Sequence, residues 1–266
     1  MSLLERSLRA ARSSGRKLLV PFLTGGYPDP ESFVALLLAV QASGADAVEV
    51  GIPFSDPSAD GPVIQKASKV ALDRGTTVLG ILEDVAAARG RGLRIPLLFM
   101  TYYNPVLAFG PREFARAAAA AGADGVLVVD LPPEEAAEFA PHAREAGLDT
   151  VFLAAPTTPD ARVPRVVREC SGFVYCVSVT GVTGDKRPAV DAVTNLVERV
   201  RPHTDLPILV GFGVEGPVTA KTMAALSDGV IVGSALLRAI DGKARDEAVA
   251  AASAFLGPLR EAIDSA

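Results

Sequence analysis

Residues 47–52 read Ala-Val-Glu-Val-Gly-Ile, an apolar run with one carboxylate in its middle. Side chains alternate along a strand, so Val48, Val50 and Ile52 share one face while Ala47, Glu49 and Gly51 share the other. The bulky apolar face suits packing against helices, which turns Glu49 inward between two small neighbours. Burying a carboxylate is costly unless it is paired, and desolvation raises its pKa towards the range useful for acid–base catalysis. A structural glutamate bonded to backbone groups would fit the same pattern. The following segment, Pro53-Phe54-Ser55-Asp56-Pro57-Ser58-Ala59-Asp60-Gly61-Pro62, brings two more carboxylates to the same strand end. Asp60 stands just before Gly-Pro and an expected helix start, where it could be an N-cap or a catalytic group.

Glycines mark a second kind of chemistry. Gly211-Phe212-Gly213 and Gly233-Ser234-Ala235 each follow a short apolar run, and the second precedes a helical pattern. Glycine lets backbone N–H groups approach an anion, and a helix start adds a favourable dipole. The alternative is that these glycines only turn the chain. Gly181-Val182-Thr183-Gly184 is a third such segment, with a weaker signal of its own. None of the six lysines (17, 66, 69, 186, 221 and 243) lies within an expected strand; Lys17 falls at the start of the first, at the floor end. That placement argues against an imine-forming aldolase, whose lysine sits in a desolvated pocket. His142 and His203 are the only histidines and lie in polar stretches, so they read as surface residues rather than metal ligands or triad members. No metal is expected.

Eight apolar, β-branched runs supply strands to hold these groups: 18–24, 47–52, 95–101, 125–129, 150–154, 173–177, 207–210 and 229–232. Runs of this kind suit parallel strands buried on both faces. Helical patterns lie between them, including 30–42, 111–121, 134–146, 160–169 and 217–226, several opening on proline. The expected fold is an α/β (β/α)₈ TIM barrel with an extra N-terminal helix, within 2–14, capping the barrel floor. An open doubly wound sheet is the alternative, but six strands is its commoner number and no GxGxxG follows the first strand. Barrels carry their chemistry at the C-terminal strand ends, to which the 53–62 segment with Asp60 and the three glycine segments belong.

The whole chain of 266 residues, 49% hydrophobic and 21% charged, fits one domain, 1–266, of ordinary barrel size. A net charge of −5 argues against a nucleic-acid surface. Cys170 and Cys176 are too few for a disulfide framework, no run is long and apolar enough to span a membrane, and a cytoplasmic location is expected.

The blocks VEVGIPFSDPSADGPVIQKA (48–67), MTYYNP (100–105), DGVLVVDLPPEE (124–135), GFVYCVSVTGVTG (172–184), VGFGV (210–214) and DGVIVGSALL (228–237) together resemble the tryptophan synthase α family. The first block is the specific one; the GFG and GSA blocks are shared with other phosphate-binding barrels. The resemblance implies a carbon–carbon lyase that cleaves indole-3-glycerol phosphate to indole and glyceraldehyde 3-phosphate in tryptophan biosynthesis. It makes Glu49 the acid–base catalyst and Asp60 the partner of the indole N–H, and it places Tyr175 near the glycerol moiety. Phe22, Met100, Leu127, Val129 and Phe212 would line the indole slot. Gly184, Gly213, Gly233 and Ser234 would hold the phosphate, and Thr183 would ride on a closing lid. The resemblance implies no cofactor in this chain and a PLP-dependent β subunit as partner, in an α₂β₂ complex. A stand-alone indole-glycerol-phosphate lyase, with the same residues and no β partner, is the other reading.

Overall fold

The computed structural model describes residues 2–177, 190–211 and 213–266. Its strands are β1 (Leu18–Thr24), β2 (Val48–Gly51), β3 (Leu97–Thr101), β4 (Gly125–Val128), β5 (Asp149–Val151), β6 (Leu153–Ala154), β7 (Val174–Val177), β8 (Ile208–Gly211) and β9 (Gly229–Val232). All pairings are parallel, in the order β5-β4-β3-β2-β1-β9-β8-β7-β6. The two ends of this sheet, β5 and β6, are separated in sequence by Phe152 alone. One barrel stave is therefore broken at Phe152, and the ring of eight staves closes through it. The expected continuous strand at 150–154 is corrected to these two pieces. The fold is the expected TIM barrel.

Helices cover the outside: α1 (Leu3–Ser13), α2 (Pro30–Ala42), α3 (Pro62–Asp73), α4 (Val78–Gly90), α5 (Tyr103–Phe109), α6 (Pro111–Ala121), α7 (Ala140–Glu145), α8 (Val163–Glu169), α9 (Val190–Val200), α10 (Pro217–Leu226), α11 (Ser234–Ile240) and α12 (Arg245–Asp264). The expected helices at 30–42, 111–121 and 217–226 match α2, α6 and α10. The expected helix 134–146 is instead a 3₁₀ turn, Ala136–Glu138, followed by the short α7. Helix α8 begins three residues later than expected. A proline at its second position fits that start, since Pro lacks the N–H that a first turn leaves unused.

Helix α1 closes the floor. Ser2 is its N-cap, accepting the Glu5 N–H at 3.0 Å, and Leu4 and Leu8 are fully buried. Leu4 packs where a side chain at Gly125 or Gly172 would collide with it.

A repeated device fixes the strand starts beside it. Asp46, Asp124 and Asp228 each precede a strand, and each accepts the first free N–H of the neighbouring strand: Leu19 (2.9 Å), Leu97 (2.9 Å) and Ile208 (2.7 Å). Their own N–H groups return a bond to the carbonyl of the same residue. Each carboxylate also holds arginine: Arg16 and Arg260 at Asp46, Arg89 at Asp124, Arg12 and Arg201 at Asp228. The sequence carries the device as Ser-Gly-Ala-Asp-Ala-Val (43–48), Ala-Gly-Ala-Asp-Gly-Val (121–126) and Leu-Ser-Asp-Gly-Val (226–230). At Gly122 the preceding helix ends in a left-handed residue (φ 97°), a conformation that favours glycine.

Candidate active site

The strand alternation that buries the aliphatic side chains outside the barrel turns Phe22, Glu49, Met100, Leu127 and Tyr175 into it. In register, Phe22 of β1 lies beside Glu49 of β2, and Gly51 of β2 beside Met100 of β3, itself beside Leu127 of β4. These residues line a cavity of about 220 Å³. Its wall is apolar through Phe22, Ile64, Met100, Leu127, Val129, Leu153, Val177 and Ile231; its polar groups include Glu49, Asp60, Tyr175 and Ser234.

Two glycines make room for the large rings. A β-carbon at Gly51 would stand 2.5 Å from Phe22 Cζ, so a glycine is needed on β2 for the Phe22 ring to lie across it. Gly211 does the same for Tyr175, whose hydroxyl and ring edge occupy the space a side chain there would take. Gly211 had been expected, with Gly213, to admit an anion; packing against Tyr175 explains the first of the two.

Glu49 is 1% exposed, and its Oε1 has no hydrogen-bond partner among the described residues. Burial, reinforced by the charge of Asp60, pushes its pKa up to about 8. The structural alternative, a glutamate satisfied by backbone bonds, does not describe an orphaned oxygen facing a cavity. Groups held this way cluster at functional sites because nothing else repays their desolvation.

Asp60 is also buried, and burial raises its pKa to about 6, opposed by a hydrogen bond from the Tyr102 hydroxyl. It caps no helix. The N-cap of α3 is Gly61, and the main-chain carbonyl of Asp60 accepts from Gln65 Nε2 at 2.8 Å. The cap reading of Asp60 is thereby excluded, and its carboxylate is left to the cavity.

Tyr102, at the end of β3, earned no role from the sequence beyond its place at a strand end. It is buried, accepts the Ala59 N–H at 3.0 Å, bonds Asp60, and packs its ring 5.3 Å from that of Phe54. It thus ties the segment carrying Asp60 to the barrel. Tyr175 is buried deep in the site, with a phenol pKa raised by burial and by the charges of Glu49 and Asp60.

Met100, Phe22, Leu127 and Val129 line the cavity, and so do Gly213, Gly233 and Ser234. Gly213 has φ 73°, and Gly233 is the N-cap of α11 with Ser234 its first residue. Ile64, Leu153, Val177, Val214, Glu215 and Ile231 join them without having been singled out from sequence. Thr183, Gly184 and Phe212 lie outside the described residues.

Elsewhere, His203 is exposed, while His142 is half-buried with Nδ1 4.0 Å from Glu145, so the expectation of two surface histidines holds fully for one. Among the described residues no group of three metal-capable side chains converges, and no helix is long and apolar enough to cross a membrane.

Between pH 6 and 8 the cavity presents two carboxyl groups in opposite states. Asp60 loses its proton first; Glu49 keeps its own because burial and the new negative charge both disfavour its anion. An acid beside a fixed anion, over an apolar slot, can protonate a carbon centre and stabilise the cation so formed.

Comparison with known proteins points the same way. The family model described as tryptophan synthase alpha chain matches residues 8–263. The tryptophan synthase alpha chain of Burkholderia multivorans is 46% identical over 266 residues, covering 100% of this chain and 98% of that one. Among solved structures, tryptophan synthase subunit alpha from Legionella pneumophila superposes with a TM-score of 0.92 at 35% identity, covering 100% of both chains. A chain of Mycobacterium tuberculosis tryptophan synthase does so with a TM-score of 0.90 at 39% identity, covering 99% of this chain and 98% of that one.

Proposed function

The chain belongs to the tryptophan synthase alpha chain family, and from that premise we propose the part each residue plays in cleaving indole-3-glycerol phosphate to indole and glyceraldehyde 3-phosphate. The observation that carries the reading is the pair of buried carboxyl groups, Glu49 an acid and Asp60 an anion at neutral pH, facing one apolar cavity.

The indole ring lies between Phe22, Met100, Leu127 and Val129, with Phe212 assigned to the same slot by the family resemblance. Glu49 gives its proton to indole C3. The C2–C3 double-bond electrons form the new C–H bond, leaving a positive charge shared with the ring nitrogen, which the Asp60 carboxylate stabilises at the N–H. Glu49, now a carboxylate, takes the proton of the neighbouring side-chain hydroxyl. The electrons of that O–H bond form the aldehyde, the carbon–carbon bond breaks, and its electrons restore the aromatic ring. Glu49 ends protonated as it began, so one buried carboxyl serves both transfers. Tyr175 bounds the glycerol side of the slot.

Gly213, Gly233 and Ser234, with Gly184, hold the phosphate through backbone N–H groups and the serine hydroxyl, and Thr183 rides on the lid. Gly213 is the position where the backbone takes a left-handed turn, which fits a close approach to an anion.

Indole is released as an apolar product, and a PLP-dependent β subunit consumes it in an α₂β₂ assembly. The PLP chemistry belongs to that partner. The protein is a single-domain cytoplasmic enzyme. Indole formation by the purified chain, with and without its β subunit, tests the reading. Full basal speed with no response to the β subunit would favour a stand-alone lyase.

A further inference from the structure

We propose that Glu215 and Arg238 set the strength of anion binding in this cavity, with Glu215 holding back the positive charge that would otherwise favour the phosphate. The inference rests on the placement of phosphate at Gly213, Gly233 and Ser234. Glu215 lines the cavity together with those three residues, which brings a carboxylate-bearing residue to the rim where a dianion is to bind. Among the described residues, no lysine or arginine lines the cavity. Arg238 reaches it through Glu215: its Nη2 lies 2.9 Å from Glu215 Oε2. Arg238 is four residues beyond Ser234 on α11, one turn along the same face, and helical side chains lean towards the N-terminus. The guanidinium is therefore carried towards the end of the helix that borders the cavity.

The main chain at Glu215 is fixed independently of this pair. The N–H groups of Glu215 and Gly216 both donate to Thr219 Oγ1, at 2.9 and 3.2 Å, at the start of α10. Removing the carboxylate thus leaves the main chain at 215–216 held and changes charge. With Glu215 present, Arg238 neutralises a neighbouring negative group; without it, its charge acts on the bound phosphate. The two side chains are 40% and 53% exposed, so salt screens their influence and the effect is a modulation rather than a requirement.

Calorimetric titration of the full chain with inorganic phosphate, at low ionic strength, provides the test. Glu215→Gln tightens phosphate binding by about three- to tenfold, the scale of one screened charge acting on a dianion. Arg238→Met weakens it by a similar factor, and both differences shrink at about 0.5 M salt. In steady-state kinetics Glu215→Gln lowers KM for indole-3-glycerol phosphate with little change in kcat. Structural damage would move both variants in the same direction, so the opposite signs are the signature. Unchanged or weaker phosphate binding in Glu215→Gln overturns the proposal, provided Gly213→Val abolishes binding. If Gly213→Val leaves phosphate binding intact, the anion subsite itself is misplaced and this inference falls with it.

Discussion

Glu49 and Asp60 carry opposite protonation states because their surroundings differ in kind. Glu49 has an oxygen unbonded among the described residues and a charged neighbour, whereas Asp60 has the Tyr102 hydroxyl to stabilise its anion. The active free enzyme therefore exists between about pH 6 and about pH 8. kcat/KM should fall below the first value as Asp60 gains a proton, and above the second as Glu49 loses one. A pH–rate profile checks this, and Asp60→Asn should abolish most activity along with the acidic limb that Asp60 imposes. The same residue makes a stability prediction. Glu49 has a folded pKa raised from 4.5 to about 8, so the folded state keeps a proton that the unfolded chain gives up. Stability is lost as pH rises from the unfolded value to the folded one, by at most about 1.4 kcal/mol per pH unit, and is then level. Glu49→Gln has no such penalty. Urea denaturation should show it gaining on the parent protein between pH 5 and 8; a constant difference would contradict the assigned burial cost.

The elements that hold these residues were partly legible from sequence. Alternation within 47–52 placed Glu49 inward because β2 is buried on both faces and its apolar side chains could face only the helices. The break at Phe152 was not legible, since Thr150–Ala154 reads as one apolar run and the interruption comes from pairing β5 with β4 but β6 with β7. Tyr102 was equally hidden, because its role depends on a segment more than forty residues earlier folding back to its hydroxyl. Gly51 and Gly211 serve rings on adjacent strands, a relation visible only once register is known. Gly51→Ala should push the Phe22 ring into the cavity and raise KM for the indole substrate several-fold, with smaller loss of folding stability; unaltered KM would mean the ring has another place to go. The aspartate–arginine device was present in the sequence as an aspartate just before a strand, twice as Gly-Ala-Asp and once as Leu-Ser-Asp, and its meaning needed the floor to be seen. Arg260 is 8% exposed and bonds Asp46, Asp264 and the Lys17 carbonyl. Arg260→Met should cost about 3 kcal/mol by leaving those acceptors without their cation, while activity per folded molecule persists, as denaturation and assay together would show.

At the scale of the whole molecule, stability and chemistry occupy opposite ends of one barrel. The strand starts are locked by Asp46, Asp124, Asp228 and helix α1, and the strand ends carry the cavity. This division lets Glu49 and Asp60 be held at a cost to local stability that the floor offsets. Family membership was legible because the 48–67 block sets Glu49, the Pro-Phe-Ser-Asp-Pro loop and Asp60 in one specific run. Glu215 and Ile64 were missed because their neighbours gave no spacing signal. The measurement that bears most directly on the account is indole release from indole-3-glycerol phosphate by the purified full chain, compared with folded Glu49→Gln. The account predicts slow but definite release of indole and glyceraldehyde 3-phosphate in equal amounts by the parent chain, and its near loss in the variant. Near-normal release by folded Glu49→Gln would contradict it.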